Sequence, residues 1–229
     1  MPKIYLSPAA HGRDNPCGYD SACGENIHCN LYMDELEPYL LACGFAVKRN
    51  PKDRTGDRLK EAIAESNAWG ADLHYVAHTN AGGGAYSLLM VYDQGTAYGY
   101  AEKLAARRRE IYAGNVKISV QPQWDELRLT AAPAVYDEMV FHDNAKDIAW
   151  FHEHLREMAE ATAKAICDMF GAAFVDPYAK PAEPDPTPEP DGDVWYRVQV
   201  GAFREKANAD RLCAELKGKG YAAFVKAGA

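Results

Sequence analysis

No stretch of the chain approaches the ~20 consecutive apolar residues that span a bilayer, so no membrane helix is expected. Basic charge is scarce. Lys and Arg number 25 against 33 Asp and Glu, a formal net charge of −8, and that balance argues against a partner bound through its phosphate backbone. No nucleic-acid partner is expected. The one tight basic cluster, Arg107-Arg108-Arg109, reads as a solvated helix face. No two cysteines have the C-x-x-C spacing of a thiolate zinc site. No apolar h-region follows Lys3, so no secretory signal is expected. On that reading the protein is made in the cytoplasm. Its six cysteines, Cys17, Cys23, Cys29, Cys43, Cys167 and Cys213, are then expected as free thiols.

What is present is ordinary globular composition. The 229 residues are 48% hydrophobic, enough for one sizeable core. Strand-like and helix-like stretches alternate. "KIYLSP" (3–8), "FAVKRN" (45–50), "DLHYVAHTN" (72–80) and "YSLLMVYD" (86–93) read as strands, as do "ELRLTA" and "AVYDEMVF" later. Residues 25–44, 57–70, 96–113 and 145–171 carry helical patterns, the first interrupted by Pro38 and ending at Gly44. The alternation predicts an α/β fold, a twisted, mostly parallel sheet with helices on both faces. Functional residues of such sheets gather at the carboxyl ends of strands. Composition then breaks. Residues 176–193 hold six of the chain's thirteen prolines among several acids and read as an extended spacer. Beyond it, 194–229 has a strand-helix-strand pattern, small for a domain alone. Three parts are therefore expected: 1–175, 176–193 and 194–229.

Chemistry-bearing residues fall where that logic wants them. His11 follows the first strand, Glu25 opens the first long helix, and His78 ends the strand "DLHYVAH". Glu138 lies in the apolar strand "AVYDEMVF", where a carboxylate is costly unless paired or functional. Two imidazoles and a carboxylate suit a catalytic zinc site with one position left for water, and a further glutamate suits its general base. Each residue also has an ordinary alternative. His11 could cap a turn, Glu25 could answer the helix dipole, His78 could be a satisfied core histidine, and Glu138 could pair with Arg128.

The same residues carry a family resemblance. "IYLSPAAHGRDNPCGYDSACGE" resembles the opening of the zinc-dependent N-acetylmuramoyl-L-alanine amidases. "AESNAWGADLHYVAHTNA" and "LRLTAAPAVYDEMVFHDNAKD" are similar to two later segments of that family, in the family's order, over residues 3 to 170. The resemblance implies a zinc amidase or carboxypeptidase-like fold, Zn2+ as cofactor, and bacterial peptidoglycan as partner. It implies His11, Glu25 and His78 as zinc ligands and Glu138 as the catalytic base. Departures are mild: Ala9-Ala10 precede His11, Val76-Ala77 precede His78, and Met139-Val140 follow Glu138. Asn80 and His142 are candidates for substrate contact. His28, one turn from Glu25, and Arg128 are candidates for supporting the ligands.

The tail "WYRVQVGAFREKANADRLCAELKGKGYAAFV" resembles the first half of a SPOR domain, a peptidoglycan-binding module normally built of two β-α-β units. Only one unit is present, and two copies from a homodimer could complete its sheet. A linker and a wall-binding tail on a chain without a signal suggest an endolysin that acts on the wall after release. A host autolysin or sporulation lysin would share the chemistry. A zinc carboxypeptidase and a non-catalytic wall-binding protein are the alternatives of other kinds.

Overall fold

The computed structural model describes residues 1–10, 17, 24–51, 59–179 and 198–226. The chain divides into two units, Met1–Ala179 and Lys180–Ala229. In the first unit the elements run β1 (Lys3–Pro8), α1 (Glu25–Ala42), β2 (Ala46–Arg49), α2 (Leu59–Trp69), β3 (Leu73–Asn80), β4 (Tyr86–Val91), α3 (Thr96–Ile111), β5 (Asn115–Val120), α4 (Asp125–Arg128), β6 (Ala134–Phe141), α5 (Ala145–Glu153) and α6 (Leu155–Phe170). The six strands form one sheet in the order β2-β1-β3-β6-β4-β5. Strands β2, β1, β3 and β6 are parallel, and β4 pairs antiparallel with β6 while β5 follows β4. The expected α/β fold with a mostly parallel sheet is therefore present, with one reversed pair at its far edge.

The central strands explain the topology. β3 and β6 are buried along nearly their whole length. Strands covered on both faces are dominated by apolar residues, as these two are outside a few polar positions. Helices α1, α3 and α6 pack together on one face. There Leu36, Leu40, Leu104, Met158 and Ile166 close the main core with Tyr75, Ala77 and Val135 of the sheet. The buried face of α6 is rich in alanine, Ala159, Ala163 and Ala165 among them, so its backbone approaches its neighbours closely. Gly171, at φ 64°, ends it in the left-handed conformation a side chain would resist. On the opposite face Val76, Met90, Leu127, Ala134 and Tyr136 form a smaller cluster.

Several expectations are corrected. "ELRLTA" is no strand. Asp125 to Arg128 form the short helix α4, because Glu126 turns inward to accept hydrogen bonds from Ser7 and His74. A strand not read in the sequence, β5, follows α3. The span 145–171 is two helices parted at His154, whose ring stacks on Trp150 and bonds the Trp150 carbonyl. Helix α1 runs on through Pro38. The arginine cluster is not wholly solvated. Arg108 is buried and reaches Asp137 at 2.7 Å, Ser87 bonds the same guanidinium at 2.9 Å, and Tyr75 donates to Asp137 at 2.6 Å. Cys17 is disulfide-bonded, against the expectation of free thiols. Cys29, Cys43, Cys167 and Cys213 are free.

In the second unit, helix α7 (Lys206–Gly218) buries none of its residues. Residues 198–205 and 219–226 on either side carry no strand. Among the described residues the expected strand-helix-strand tail is thus a helix without a strand on either side, and it offers no strand for a sheet shared between two copies. Val198, Val200, Phe203 and Phe224 are exposed. So short a segment has too little apolar area to hold strands in register alone. No helix of the described residues is long and apolar enough to cross a membrane.

Candidate active site

The site lies where β3, β6 and α1 meet. In the parallel β3–β6 pair, His78 stands opposite Glu138. Residues opposite each other across a ladder share a face, so one register fixes the spacing of both functional groups. Beyond that pair the register shifts between His78 and Asn80. Such irregularities turn side chains at strand ends. Helix α1 begins at Glu25, with Gly24 as its N-cap. A carboxylate in the first turn is favoured by the helix dipole. Here it also reaches across to the sheet: its Oε1 accepts from His78 Nδ1 at 2.8 Å and from the Thr79 backbone N–H at 3.0 Å.

His78, Glu25 and Glu138 are all buried, and burial decides their electrostatics. Burial pushes the Glu138 carboxyl up to about 7; the His78 charge pulls it back, and the Glu25 and Asp137 carboxylates add to the rise. Burial alone would lower the pKa of His78, but its hydrogen bond to Glu25 and the carboxylates of Glu25, Glu138 and Glu126 raise it on balance. Glu138 Oε2 is buried with no hydrogen-bond partner. An orphaned buried carboxylate oxygen is expensive, and its position beside an imidazole and a second carboxylate marks a place for a proton, a water or a cation.

The donor chemistry suits a divalent metal. Tetrahedral zinc takes imidazole nitrogen and carboxylate oxygen at ~2.0–2.2 Å, which sets neighbouring ligands roughly 3.3 Å apart. His78 Nδ1 and Glu25 Oε1 already lie 2.8 Å apart. No group of three metal-binding side chains occurs among the described residues. His11, the third expected ligand, lies outside them.

The remaining candidates are placed as follows. His142 is buried, and its Nδ1 contacts the Thr79 hydroxyl at 2.9 Å and the Thr79 carbonyl at 3.1 Å. It therefore holds the residue whose N–H binds Glu25. Asn80 turns its Oδ1 back to the Ala81 N–H at 2.8 Å. His28 is buried on α1, with Nε2 3.3 Å from the Cys17 sulfur and its ring edge-on to Phe151 and His152. Arg128, expected beside the ligands, pairs with Asp125 on the surface of α4 at 2.7 Å. The loop after β3 is pinned by Asp143, which accepts from the N–H groups of Gly82 and Gly83. Those glycines adopt φ values of 116° and 72°, open to residues without a Cβ.

Three contributors were not read from the sequence. Thr79 supplies a backbone donor to Glu25. Tyr136 stacks on His78 with ring centroids 4.5 Å apart, and Trp124 lies edge-on to Tyr136 at 4.9 Å. Tyr136 sits two residues before Glu138 on the same face of β6, a period-2 signal visible in "YDE" once the strand is known.

Comparison with known proteins bears on this arrangement. The chain is 30% identical over 182 residues to N-acetylmuramoyl-L-alanine amidase CwlM of Bacillus licheniformis, covering 75% of this chain and 64% of that protein. It is 26% identical over 234 residues to the sporulation-specific N-acetylmuramoyl-L-alanine amidase of Bacillus subtilis (strain 168), covering 98% of this chain and 84% of that one. Among solved structures, N-acetylmuramoyl-L-alanine amidase AmiC2 of Nostoc punctiforme superposes with a TM-score of 0.66 at 15% identity, over 74% of this chain and 97% of that chain. Residues 160–227 match the SPOR domain. That match begins inside α6 and takes in the tail. The chain thus resembles the N-acetylmuramoyl-L-alanine amidases in sequence and carries the fold of their catalytic domains, with a SPOR-like region at its carboxyl end.

Proposed function

We propose that the protein is a peptidoglycan hydrolase that cleaves the amide between the lactyl group of N-acetylmuramic acid and the L-alanine of the stem peptide. The observation that carries this reading is the pairing of Glu25 with His78 directly beside the orphaned Glu138 carboxylate, at the carboxyl ends of β3 and β6. Glu25 and His78, completed by His11, are the residues that would hold zinc. When bound there, zinc supplies polarisation of the scissile carbonyl and a water whose pKa is lowered to about 7.

The chain's own residues do the rest. Glu138 accepts the proton of the attacking water and passes it to the leaving amine, serving in turn as general base and general acid. Thr79, through its backbone N–H, fixes the Glu25 carboxylate. His142 fixes Thr79, and Tyr136 fixes the plane of the His78 ring. Supporting contacts of this kind commonly set ligand orientation in metal sites.

The SPOR match supports a second contact with the wall, and we place the site of action there. The relative that spans nearly the whole chain is sporulation-specific, which favours a sporulation lysin over an endolysin as the setting. Product analysis tests the reading. Digested walls should show new N-terminal alanine. A released C-terminal residue would instead identify a carboxypeptidase, and bound walls without product a binding protein.

A further inference from the structure

The second face of the sheet is open beside Glu138. In the antiparallel β4–β6 pair Leu88 stands opposite Glu138, and in the parallel β4–β5 pair Lys117 stands opposite Leu88. The three side chains form a row across the strands on one face. At ~4.8 Å per strand the Lys117 backbone lies about 10 Å from that of Glu138. The intervening residues confirm the facing. Ser87, Leu89 and Val116 are buried, and Ser87 bonds Arg108 of α3. Leu88 and Lys117 point the other way and are half-buried and exposed.

Lys117 is also aimed. Its ammonium lies 3.5 Å from the ring centroid of Tyr86. Tyr86 precedes Leu88 by two residues on a strand that runs against β6, so it lies toward the carboxyl end of β6, where the candidate site is. Among the described residues no carboxylate pairs with this ammonium. A cation held on an aromatic face, with no carboxylate paired to it among the described residues, is positioned and available to an anionic group.

We propose that Lys117 receives the free α-carboxylate of the residue that follows L-alanine in the stem peptide. The proposal rests on the amidase reading. The second stem residue is a D-glutamate joined onward through its side-chain carboxyl, so its α-carboxyl is free, or amidated in some walls. At ~3.3–3.6 Å per residue that group lies about 7 Å from the scissile carbonyl, within reach of a lysine in the row beside Glu138. Lys117 is thus a specificity residue, one that distinguishes the acid from the amide at the second stem position.

The test uses the full chain with zinc and two synthetic muramyl tetrapeptides that differ only in that group, one acid and one amide. The wild type should favour the acid about tenfold in kcat/KM, the low end for a hydrogen bond to a charged group. In Lys117→Gln the acid-to-amide ratio should fall to about one. Lys117→Arg should restore the preference and Lys117→Glu should invert it. A wild-type ratio near one, or a Lys117→Gln ratio equal to that of the wild type, overturns the subsite alone. No new N-terminal alanine from either substrate overturns the amidase reading and the subsite with it.

Discussion

Glu138 is the residue on which burial and chemistry conflict most sharply. With its carboxyl held up to about 7, the folded chain keeps a proton that the unfolded chain, at an ordinary 4.5, releases. Between those values the folded state binds more protons, so stability falls as pH rises, and the full cost is present above about pH 7. At 1.36 kcal/mol per unit this amounts to about 3 kcal/mol. Metal-free protein should therefore be measurably weaker at pH 8 than at pH 5 in urea unfolding, a trend to which the raised pKa of His78 adds, and Glu138→Gln should remove the share that Glu138 contributes. A variant with the parent's pH dependence would contradict the assignment of the shift to Glu138. His142 makes a different prediction. Because it holds Thr79, and Thr79 holds Glu25, His142→Ala should weaken zinc binding by about tenfold while leaving the fold intact. Calorimetric zinc titration beside circular dichroism separates that from simple unfolding.

At the scale of elements, the sheet depends on a buried polar connection as well as on apolar packing. Arg108 of α3, Asp137 of β6, Tyr75 of β3, Tyr32 of α1 and Thr162 of α6 are joined by hydrogen bonds through the core. Removing one partner strands a buried charge. Arg108→Met should cost about 3–5 kcal/mol, and the double variant Arg108→Met with Asp137→Leu should cost less than the single one. Chemical unfolding midpoints of the two decide it. If the double variant is the less stable, the charge account is wrong and packing governs.

How far these elements could be read in advance depended on the kind of signal. β3 and β6 were legible because buried strands are dominated by apolar residues. His78 and Glu138 were legible as polar residues out of place in them. Their juxtaposition was not, because register is a property of two strands and no single stretch encodes it. "ELRLTA" misled because its alternating leucines suit a strand, whereas Glu126 turns inward to the buried His74 and the segment closes into a short helix with Leu129 exposed. Arg108 was hidden for a similar reason. Three consecutive arginines look solvated until one face of the helix carrying them is found against the sheet. The Tyr136 and Trp124 contacts with the site depend on tertiary packing alone.

On the scale of the whole molecule, the two units invite separate treatment. The SPOR match begins within α6, yet α6 buries Met158, Ala159, Ala163 and Ile166 in the core of the first unit. Removal of residues 180–229 should leave a folded first unit that still hydrolyses soluble fragments, with weaker retention on intact walls, since two linked contacts act through effective concentration. Removal of everything from residue 160 should abolish cooperative unfolding altogether. Wall pull-down beside thermal melts of both shortened chains checks this. Equal wall binding by full-length and 1–179 protein would deny the tail a binding role.

Metal content and product, measured in one sample, decide whether Glu138 acts beside a zinc ion. Wild-type protein and Glu138→Gln should each carry close to one zinc per chain. Only the wild type should release new N-terminal alanine from peptidoglycan, losing that activity with a chelator and regaining it with zinc. A Glu138→Gln protein that retains near-native turnover, or a wild type indifferent to chelation, would contradict the account.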